Sequence, residues 1–374
     1  MRLSIVSVGP PYRGGISDLS ALIYEELNLK HEVQFINYSR QYPQLLFPGK
    51  TEYKIGALAS DFPSERIVDS INPFSWLKAV GAILAHQSDW VLFRYWNPFF
   101  APLIAIMSRR LSKRGIKVAL LVDNLIPHEE SMMDSWMARL VLSRVTHVFT
   151  MSTAVSRDVQ ALGSELSTTT LFHPLYEIYK SKLTKSEARV VLKLPEHPVI
   201  LFFGLIRPYK GLDILIKALG SIHEQLGSYT AFILGEAYED AQKYSDLIES
   251  EGISSHVVFK NEFISDDDLP LYFTASDVLV LPYRSATQSG IVGIAFHLNR
   301  PVIATNVGGL GEYIKEGETG YLVESEDYEE LGQAIMKFFA GNDRDAMPAK
   351  ISSTKAEYSI SSFCSRLMQV LENE

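Results

Sequence analysis

Short apolar segments alternate with segments of helical periodicity along most of this chain. The apolar segments are rich in Val, Ile, Leu and Phe, which is typical of strands buried on both faces of a parallel sheet. In the first half, the pattern predicts strands at residues 3–8, 32–36, 90–93, 118–122 and 147–151. It predicts helices after the Gly14-Gly15 loop with Ser17 as N-cap, at 102–111, and from Ser152 onwards. This order of strand, loop and helix indicates a doubly wound α/β sheet.

The same pattern begins again after a polar, proline-containing stretch at 173–198, which we interpret as an interdomain linker. Strands are predicted at 199–203, 230–234, 256–259, 278–281 and 301–304, with a helix at 211–219. A chain of 374 residues is long enough for two domains. We therefore predict Rossmann-like domains at 1–176 and 177–359. We also predict irregular structure at 40–75 and a last helix at 360–374 that packs back on the first domain.

Composition limits the classes of protein to consider. Apolar residues make up 47% of the chain and charged residues 21%, as expected for a globular protein with a sizeable core. The formal net charge of -9 argues against a nucleic-acid-binding protein, although a cleft of an acidic protein can be locally positive. The single cysteine, Cys364, excludes an intramolecular disulfide and a cysteine-rich metal site, and it suits a reducing cytoplasm.

Targeting and membrane signals are few. The N-terminal apolar run is too short for a signal peptide, and no uncharged stretch approaches the roughly 18 residues of a membrane span. We therefore expect a cytoplasmic protein. Residues 99–115 join an apolar run to the cations Arg109, Arg110, Lys113 and Arg114. This segment fits a helix lying on the inner face of an anionic membrane, or a core helix with a solvated basic end.

Candidate ligand-binding residues follow several predicted strands, where ligands bind in open α/β sheets. In the second half, Arg207 and Lys210 lie between Gly204 and Gly211, and such cations can hold a diphosphate. Two further loops bring small residues to the starts of helices, where free backbone N–H groups can bind phosphate. The candidate residues of these two loops are Gln288, Ser289, Gly290, Gly308, Gly309 and Glu312. Each loop alone could be a tight turn or an N-cap, but together they predict one anion site.

Two groups of candidates lie in the first half. Gly14 and Gly15 follow the first strand and would allow close approach of a ligand, or would serve only to turn the chain. Asp123 and Asn124 follow the strand at 118–122, with His128 and Glu129 shortly after. Carboxylate and imidazole groups there could orient an acceptor hydroxyl or move its proton. The alternative is that His128 has only a structural role. No spacing of His, Asp and Glu indicates a metal site.

Several of these segments resemble glycosyltransferase family 4, the retaining GT-B enzymes also called glycosyl transferase group 1, and the resemblance covers nearly the whole chain. Residues 204–211 are similar to the family's G-R-L-x-x-x-K-G segment, with Lys210 at the lysine that holds the donor diphosphate. In the family motif the arginine directly follows the glycine. In this chain that position is Leu205, and the arginine of the segment is Arg207. PVIATNVGGLGE at 301–312 is similar to PVIAT-x-x-G-G-x-x-E, and GETGYL at 317–322 to G-x-x-G-x-L. Gly14-Gly15 stands at the family's N-terminal glycine loop, which faces the sugar and phosphates.

The chain departs from the family at a pair of acidic residues. The E-x7-E motif, whose glutamates meet the donor sugar and the ribose, falls on Ala286 and Ile294. We expect Gln288 to reach sugar hydroxyls instead, and Glu312 or backbone groups to contact the ribose. The family's strand-end histidine falls at Asp123, which leaves His128 as the nearby imidazole.

The resemblance implies a GT-B fold, with two Rossmann-like doubly wound domains and an interdomain cleft. It implies a metal-independent, retaining transferase that moves a hexose from a nucleoside-diphosphate sugar to a hydroxyl of a saccharide or lipid-linked acceptor, as in polysaccharide biosynthesis. Arg207 and Lys210 would stabilise the leaving diphosphate, and no separate cofactor is expected. The alternatives are a nucleotide-sugar-binding protein without turnover and a sugar-nucleotide epimerase on the same fold.

Overall fold

The computed structural model describes residues 1–43, 52–53, 61–126, 132–163 and 165–374. These residues form two compact units. Unit 1 comprises Met1–Pro174 together with Ile360–Glu374, and unit 2 comprises Leu175–Ser359.

Unit 1 contains a parallel sheet of seven strands within the described residues. The strands are β1 Arg2–Val6, β2 Glu32–Arg40, β3 Glu65–Asp69, β4 Trp90–Tyr95, β5 Lys117–Val122, β6 His147–Thr150 and β7 Ser167–Thr170. The helices are α1 Gly15–Asn28, α2 Pro73–His86, α3 Ala101–Ser112, α4 Met132–Leu142, α5 Thr153–Leu162 and, at the C-terminus, α13 Ile360–Asn373. The strand order is β3-β2-β1-β4-β5-β6-β7, so the winding direction reverses between β1 and β4. Ligands of doubly wound sheets bind beside such a reversal, at the carboxyl ends of the strands.

Unit 2 contains a second parallel sheet, of six strands. They are β8 Val199–Phe203, β9 Thr230–Leu234, β10 Val257–Lys260, β11 Val278–Leu281, β12 Val302–Thr305 and β13 Gly320–Val323. The helices are α6 Lys185–Val191, α7 Leu212–Leu226, α8 Gln242–Ser250, α9 Leu269–Ala275, α10 Gly290–His297, α11 Tyr328–Ala340 and α12 Asp343–Thr354. The order β10-β9-β8-β11-β12-β13 reverses between β8 and β11. The predicted doubly wound α/β class is therefore confirmed for each unit.

The core of each unit lies between its sheet and the covering helices. In unit 1, Val91 and Phe93 of β4 are buried together with Leu103 and Met107 of α3. At the C-terminus, α13 packs against α1, and the ring of Phe363 lies edge-on to Phe172 with centroids 5.9 Å apart. The last helix thus belongs to unit 1 because its apolar face is buried there.

The region predicted to be irregular contains two regular elements. β3 and α2 both begin before residue 75. β3 is a half-exposed edge strand without a long apolar run, which weakens its sequence signal. The start of α2 did carry a signal, because the Asn72 side chain caps the helix by accepting from the Phe74 N–H at 3.1 Å and Pro73 occupies the first helical position.

One smaller prediction is corrected. The N-cap of α1 is Gly14 rather than Ser17. Ser17 lies within the first turn, and its Oγ is buried without a hydrogen-bond partner among the described residues. The second half of the segment 317–322, which is similar to the family's G-x-x-G-x-L, belongs to β13, and this strand pairs in parallel with β12. Gly320 allows this pairing, since a Cβ there would lie 1.8 Å from the Val302 carbonyl oxygen.

The segment 99–115 forms a short 3-10 turn and α3. Its apolar side chains Phe100, Leu103, Ile104 and Met107 are buried in the unit 1 core, so they cannot lie in lipid. The cations Arg109 and Arg110, by contrast, are exposed. The reading as a core helix with a solvated basic end is therefore correct for α3 itself. Among the described residues, no helix has the length and apolarity required to cross a bilayer.

Candidate functional site

Loops that follow β8, β11 and β12 meet at the carboxyl edge of the unit 2 sheet. Gly211 has φ +65, and a Cβ there would lie 1.9 Å from the Pro282 carbonyl oxygen. Gly308 has φ +52, and a Cβ there would lie 1.4 Å from the carbonyl oxygen of Ala286. Only glycine permits both this backbone conformation and these approaches. The predicted convergence of the loops is therefore present within unit 2.

Lys210 occupies the centre of these loops. Its side chain is buried, and Nζ donates a hydrogen bond of 2.6 Å to the Tyr283 hydroxyl, in the loop after β11. Burial lowers the pKa of the Lys210 ammonium, and the charge of Arg207 lowers it further, while Tyr209 acts in the opposite direction. A buried ammonium with a depressed pKa gains stability when an anion approaches it, so this position favours an anionic ligand.

Arg207 lies on the same loop and is half-buried. Its guanidinium carbon is 5.0 Å from the ring centroid of Tyr238, within the range of a cation–π contact. Gly204 begins the loop with φ +122, and a Cβ there would lie 3.8 Å from Lys210 Nζ and 2.7 Å from Ile291 Cδ1 of α10. The structure therefore brings Gly204, Lys210 and the first turn of α10 together.

The N-terminus of α10 lies beside this ammonium. Ser289 is the N-cap residue but its side chain does not cap the helix, and it hydrogen-bonds to Tyr283 instead. The first backbone N–H groups of α10 therefore have no side-chain cap, which leaves the helix end suited to an anion. At Gly290, a Cβ would lie 2.7 Å from the Tyr176 hydroxyl, so a larger residue would not fit.

The remaining candidates of unit 2 lie in the same loops with different exposure. Gln288 is half-buried just before α10, and Gly309 is buried. Glu312 ends a short 3-10 turn after β12 and is exposed.

One tyrosine and one arginine of the loop after β11 were overlooked as site residues. Tyr283 received no role in the sequence analysis, although a polar ring directly beyond a buried strand is a signal. Arg284 makes a bidentate ion pair with Asp213 at 2.9 and 2.7 Å and also pairs with Glu326. Its charge is therefore neutralised by carboxylates, and it fastens the loop to the first turn of α7.

In unit 1, Asp123 is held by a buried ion pair. Arg94 of β4 donates two hydrogen bonds of 2.6 Å to the Asp123 carboxylate, and its Nη1 donates to the Ile16 carbonyl and to Ser20 Oγ, each at 2.9 Å. Arg94 therefore joins the first turn of α1 to the residue after β5. A charged residue inside the apolar strand WVLFRY was the sequence signal for such a partner, and it was missed.

The other unit 1 candidates are placed as follows. Gly14 and Gly15 are exposed at the start of α1, and Gly14 has φ +107 with open space where a Cβ would be. Asn124 is half-buried, and its Oδ1 has no hydrogen-bond partner among the described residues. His128 and Glu129 lie outside the described residues.

His173 is an imidazole of unit 1 that was assigned only to the linker. It is buried, and Nδ1 is 3.1 Å from the Pro174 carbonyl oxygen, so Nδ1 carries the proton because a carbonyl only accepts. Burial lowers the pKa of His173 to about 4. The positive charge of Arg94 also lowers this pKa, whereas the hydrogen bond to Pro174 and the negative charge of Asp123 raise it. The imidazole therefore lies close enough to the Arg94–Asp123 pair to feel both charges.

Residues 184–355, which include the loops around Lys210, match the family model described as glycosyl transferases group 1. The matched segment lies within unit 2 and covers less than half of the chain. A relative with this resemblance is the GDP-mannose-dependent alpha-(1-6)-phosphatidylinositol monomannoside mannosyltransferase of Mycobacterium tuberculosis, 28% identical over 168 residues, or 43% of each chain. Another is the D-inositol 3-phosphate glycosyltransferase of Rhodococcus opacus, 31% identical over 181 residues, or 46% of this chain and 39% of that one. The aligned part thus spans less than half of either relative.

A solved structure extends the likeness beyond the matched segment to both units. The structure of Anabaena HepE in complex with UDP covers 100% of each chain with a TM-score of 0.76 at 19% identity. This likeness identifies the fold as GT-B, as predicted.

Proposed function

We propose that the protein is a retaining, metal-independent glycosyltransferase that moves a hexose from a nucleoside-diphosphate sugar to a hydroxyl of a saccharide or lipid-linked acceptor. The observation that carries the proposal is the buried Lys210 ammonium, whose hydrogen-bond partner Tyr283 is neutral. Arg207 and the N-terminus of α10 lie beside it and add positive potential. A pyrophosphate matches this arrangement in charge and in its number of acceptor oxygens.

Lys210, Arg207 and the backbone N–H groups of α10 act on the leaving group in this proposal. As the bond between the anomeric carbon and the phosphate oxygen breaks, its electron pair stays on the nucleoside diphosphate. The two cations stabilise this growing charge from a site that is already shielded from water. The acceptor oxygen forms the new bond to the anomeric carbon, and its proton passes to a phosphate oxygen of the donor.

The sugar and ribose contacts are assigned to residues near this site. Gln288 replaces the missing first glutamate by donating to sugar hydroxyls, and Glu312 accepts from the ribose. Gly204, Gly308 and Gly309 let the backbone of unit 2 approach the donor closely. For Gly14 and Gly15 we keep the role that the family resemblance implies, a glycine loop that faces the sugar and phosphates.

The acceptor side of the proposal uses the carboxyl edge of the unit 1 sheet. Within the described residues Asn124 Oδ1 has no hydrogen-bond partner, and His128 follows Asn124 in the sequence. The carboxylate of Asp123 is occupied by its ion pair with Arg94, so the role of Asp123 in this proposal is to position Arg94. The related mannosyltransferase is named for a phosphatidylinositol mannoside, which supports an acceptor that carries a lipid. A cytoplasmic location is part of the proposal, and the single buried cysteine suits it.

A second candidate function is donor binding without turnover. It is favoured by the two positions where the family carries glutamates, because Ala286 has no polar side chain and Ile294 is buried within α10. Such a protein would retain the cation site but lose the contacts that orient the sugar.

A thermal-shift screen of the full chain with UDP, GDP and their sugars tests the proposal. Stabilisation by a nucleoside diphosphate is expected, and Lys210→Ala should abolish it. The matched control is Lys217→Ala, an exposed lysine of α7, which should leave it unchanged. Product analysis with the bound donor then separates the candidates: transfer or slow donor hydrolysis supports the transferase, binding alone supports the second candidate, and an isomerised nucleotide sugar indicates an epimerase. Equal stabilisation of wild type and Lys210→Ala would refute the site.

A further inference from the structure

A buried carboxylate at the amino edge of the unit 2 sheet is surrounded by cations. Asp277 directly precedes β11 and is buried. Its Oδ1 accepts hydrogen bonds from Lys185 Nζ and from Arg344 Nε, the latter at 2.7 Å. Its Oδ2 accepts from Arg189 Nη2 at 2.8 Å and from the Val199 N–H at 2.7 Å. Each oxygen of this carboxylate therefore already has two donors.

A fourth cation lies next to this carboxylate. Arg300, in the turn between α10 and β12, donates from Nη1 to the carbonyl oxygen of the residue before Asp277, at 2.9 Å. Burial lowers the pKa of Arg300 to about 10; Asp277 raises this pKa and Arg189 lowers it. Burial also lowers the pKa of the Lys185 ammonium. The charges of Arg189 and Arg344 lower that pKa further, whereas Asp277 raises it. The cations therefore repel one another despite the carboxylate between them.

Carboxylates near the four cations do not balance their charge. Glu196 pairs with Arg189 at 3.5 Å, but its side chain is 82% exposed. Beside Arg344 in the sequence, the carboxylate of Asp343 accepts a hydrogen bond from a tyrosine hydroxyl, and Asp345 makes no ion pair within the part of the chain that the structure describes. Four cations thus meet two carboxylates in the described part of unit 2, and only one of these carboxylates is shielded from water.

Two of the four cations present unused donors to solvent. The side chains of Lys185 and Arg344 are 29% and 31% exposed. Arg344 donates through Nε, and its Nη1 and Nη2 have no acceptor among the described residues. Lys185 Nζ has three N–H groups, of which the described contacts use one. A guanidinium edge and an ammonium held at the same carboxylate oxygen suit the oxygens of a phosphoryl group. We name Lys185, Arg189, Arg300, Arg344 and Asp277 the Asp277 cluster.

We propose that the Asp277 cluster, with Lys185 and Arg344 as its direct ligands, binds a phosphoryl dianion supplied by inorganic phosphate or by a phosphate monoester. The dianion adds the negative charge that the cluster lacks, and its oxygens accept from the donors that Asp277 leaves unused. The bound anion also joins two helices, since Lys185 begins α6 and Arg344 lies in the first turn of α12.

The Asp277 cluster is separate from the loops around Lys210. Those loops lie at the carboxyl edge of the unit 2 sheet, whereas Asp277 lies at its amino edge. The four residues of β11, about 13 Å of extended chain, separate the two edges. The inference therefore goes beyond the proposed function and does not depend on it.

Thermal unfolding and calorimetric titration of the full chain with inorganic phosphate test the inference, with sodium chloride of equal ionic strength as the reference. At about ten times the dissociation constant, phosphate should raise the melting temperature by roughly 3–6 °C relative to chloride. Methyl phosphate distinguishes the two sources of the phosphoryl group. Binding of methyl phosphate with equal or higher affinity supports a site for a phosphate monoester, and binding of inorganic phosphate alone supports a site for the free ion.

Arg344→Lys is the informative variant, because it keeps a cation beside Asp277 but removes Nη1 and Nη2. It should weaken phosphate binding roughly tenfold, since charge-assisted hydrogen bonds are lost, and Lys185→Gln should weaken it at least as much. The matched controls are Arg40→Lys, in an arginine–aspartate pair of unit 1, and Lys243→Gln, in a lysine–glutamate pair of α8. Both should bind phosphate like wild type, and circular dichroism should show every variant folded.

Lys210→Ala separates the Asp277 cluster from the loops at the carboxyl edge, where phosphate could also bind. Phosphate should still stabilise this variant, whether or not UDP or GDP stabilises the wild type, so failure of the proposed function is distinguishable from failure of this inference. The inference is overturned if chloride stabilises the chain as much as phosphate does, or if Lys210→Ala abolishes the effect of phosphate. Equal phosphate affinity of Arg344→Lys and Arg40→Lys would overturn it as well.

Discussion

The Lys210 ammonium donates a 2.6 Å hydrogen bond to the Tyr283 hydroxyl and lies 4.2 Å from the centroid of the same ring. This contact joins the loop after β8 to the loop after β11, across the point where the winding of the unit 2 sheet reverses. Because the partner is a phenol rather than a carboxylate, the ammonium is positioned while its charge remains. The pair therefore holds a cation ready for an anionic ligand.

Tyr283→Phe should destabilise the ligand-free protein by about 1–3 kcal/mol, because a buried charged donor then loses its hydrogen-bond partner. A nucleoside diphosphate supplies new acceptor oxygens, so saturating UDP or GDP should recover part of this loss. Denaturant unfolding with and without nucleotide measures both effects. Tyr272→Phe, which removes a hydroxyl that accepts from Lys260 away from these loops, is the control and should show no nucleotide-dependent recovery. Unchanged stability of Tyr283→Phe would contradict the role of this hydrogen bond.

Donor affinity should depend on pH through Lys210. Burial lowers the pKa of this ammonium in the free protein, and a bound diphosphate raises it. The contribution of Lys210 to binding is therefore complete below the free-state pKa and is lost as pH rises from there towards the bound-state pKa. Because the free-state pKa is below its usual value, the loss should begin at lower pH than for an ordinary lysine.

Calorimetric titration with UDP or GDP across the alkaline range measures this loss of affinity. Lys210→Arg is the informative variant, since a guanidinium stays charged throughout the range. Its affinity should be lower at neutral pH, because the geometry differs, but flat with pH. A wild-type affinity that parallels Lys210→Arg up to the pH of ordinary lysine titration would contradict the depressed pKa.

The strands of unit 2 could be predicted closely from sequence because they are apolar on both faces. β8, β9 and β11 have the predicted bounds, and the loop with Lys210 follows directly from them. Contacts between residues that are far apart in the sequence could not be predicted in this way. The contact of Lys210 with Tyr283 spans 73 positions and depends on which strands become neighbours, which local patterns do not encode. Asp123 shows the same limit, because its carboxylate was read as free for a ligand while Arg94, 29 positions earlier, holds it.

Gly211→Ala should destabilise unit 2 by about 3 kcal/mol or more, because left-handed backbone strain is added to a clash with the Pro282 carbonyl. Gly252→Ala provides a matched control. This glycine follows α8 with φ +72 and has open space where a Cβ would lie, so only the strain of about 1–2 kcal/mol should appear. Thermal unfolding of both variants measures the difference. Equal losses would show that the two loops are not in close contact at Gly211.

His173 should make unit 1 sensitive to acid. Burial lowers its pKa to about 4 in the folded protein, whereas in the unfolded chain the imidazole has its ordinary pKa of 6.5. Between these values the unfolded chain binds a proton that the folded chain does not, so stability falls as pH falls from 6.5 towards 4. The loss integrates to about 3 kcal/mol. His173→Gln removes the titrating group, and its stability, measured by denaturant unfolding, should therefore decline less over this range.

His297 of unit 2 offers a matched comparison, because burial and the charges of Lys355 and Lys180 lower its pKa to about 4 as well. With a probe in each unit, His173→Gln should flatten the acid dependence of the unit 1 transition, and His297→Gln that of unit 2. If the wild type and His173→Gln gave parallel curves of unit 1 stability against pH, the imidazole would have to be solvated or protonated in the folded state. That result would also remove His173 from the neighbourhood of the Arg94–Asp123 pair, since their charges act on it only at short range.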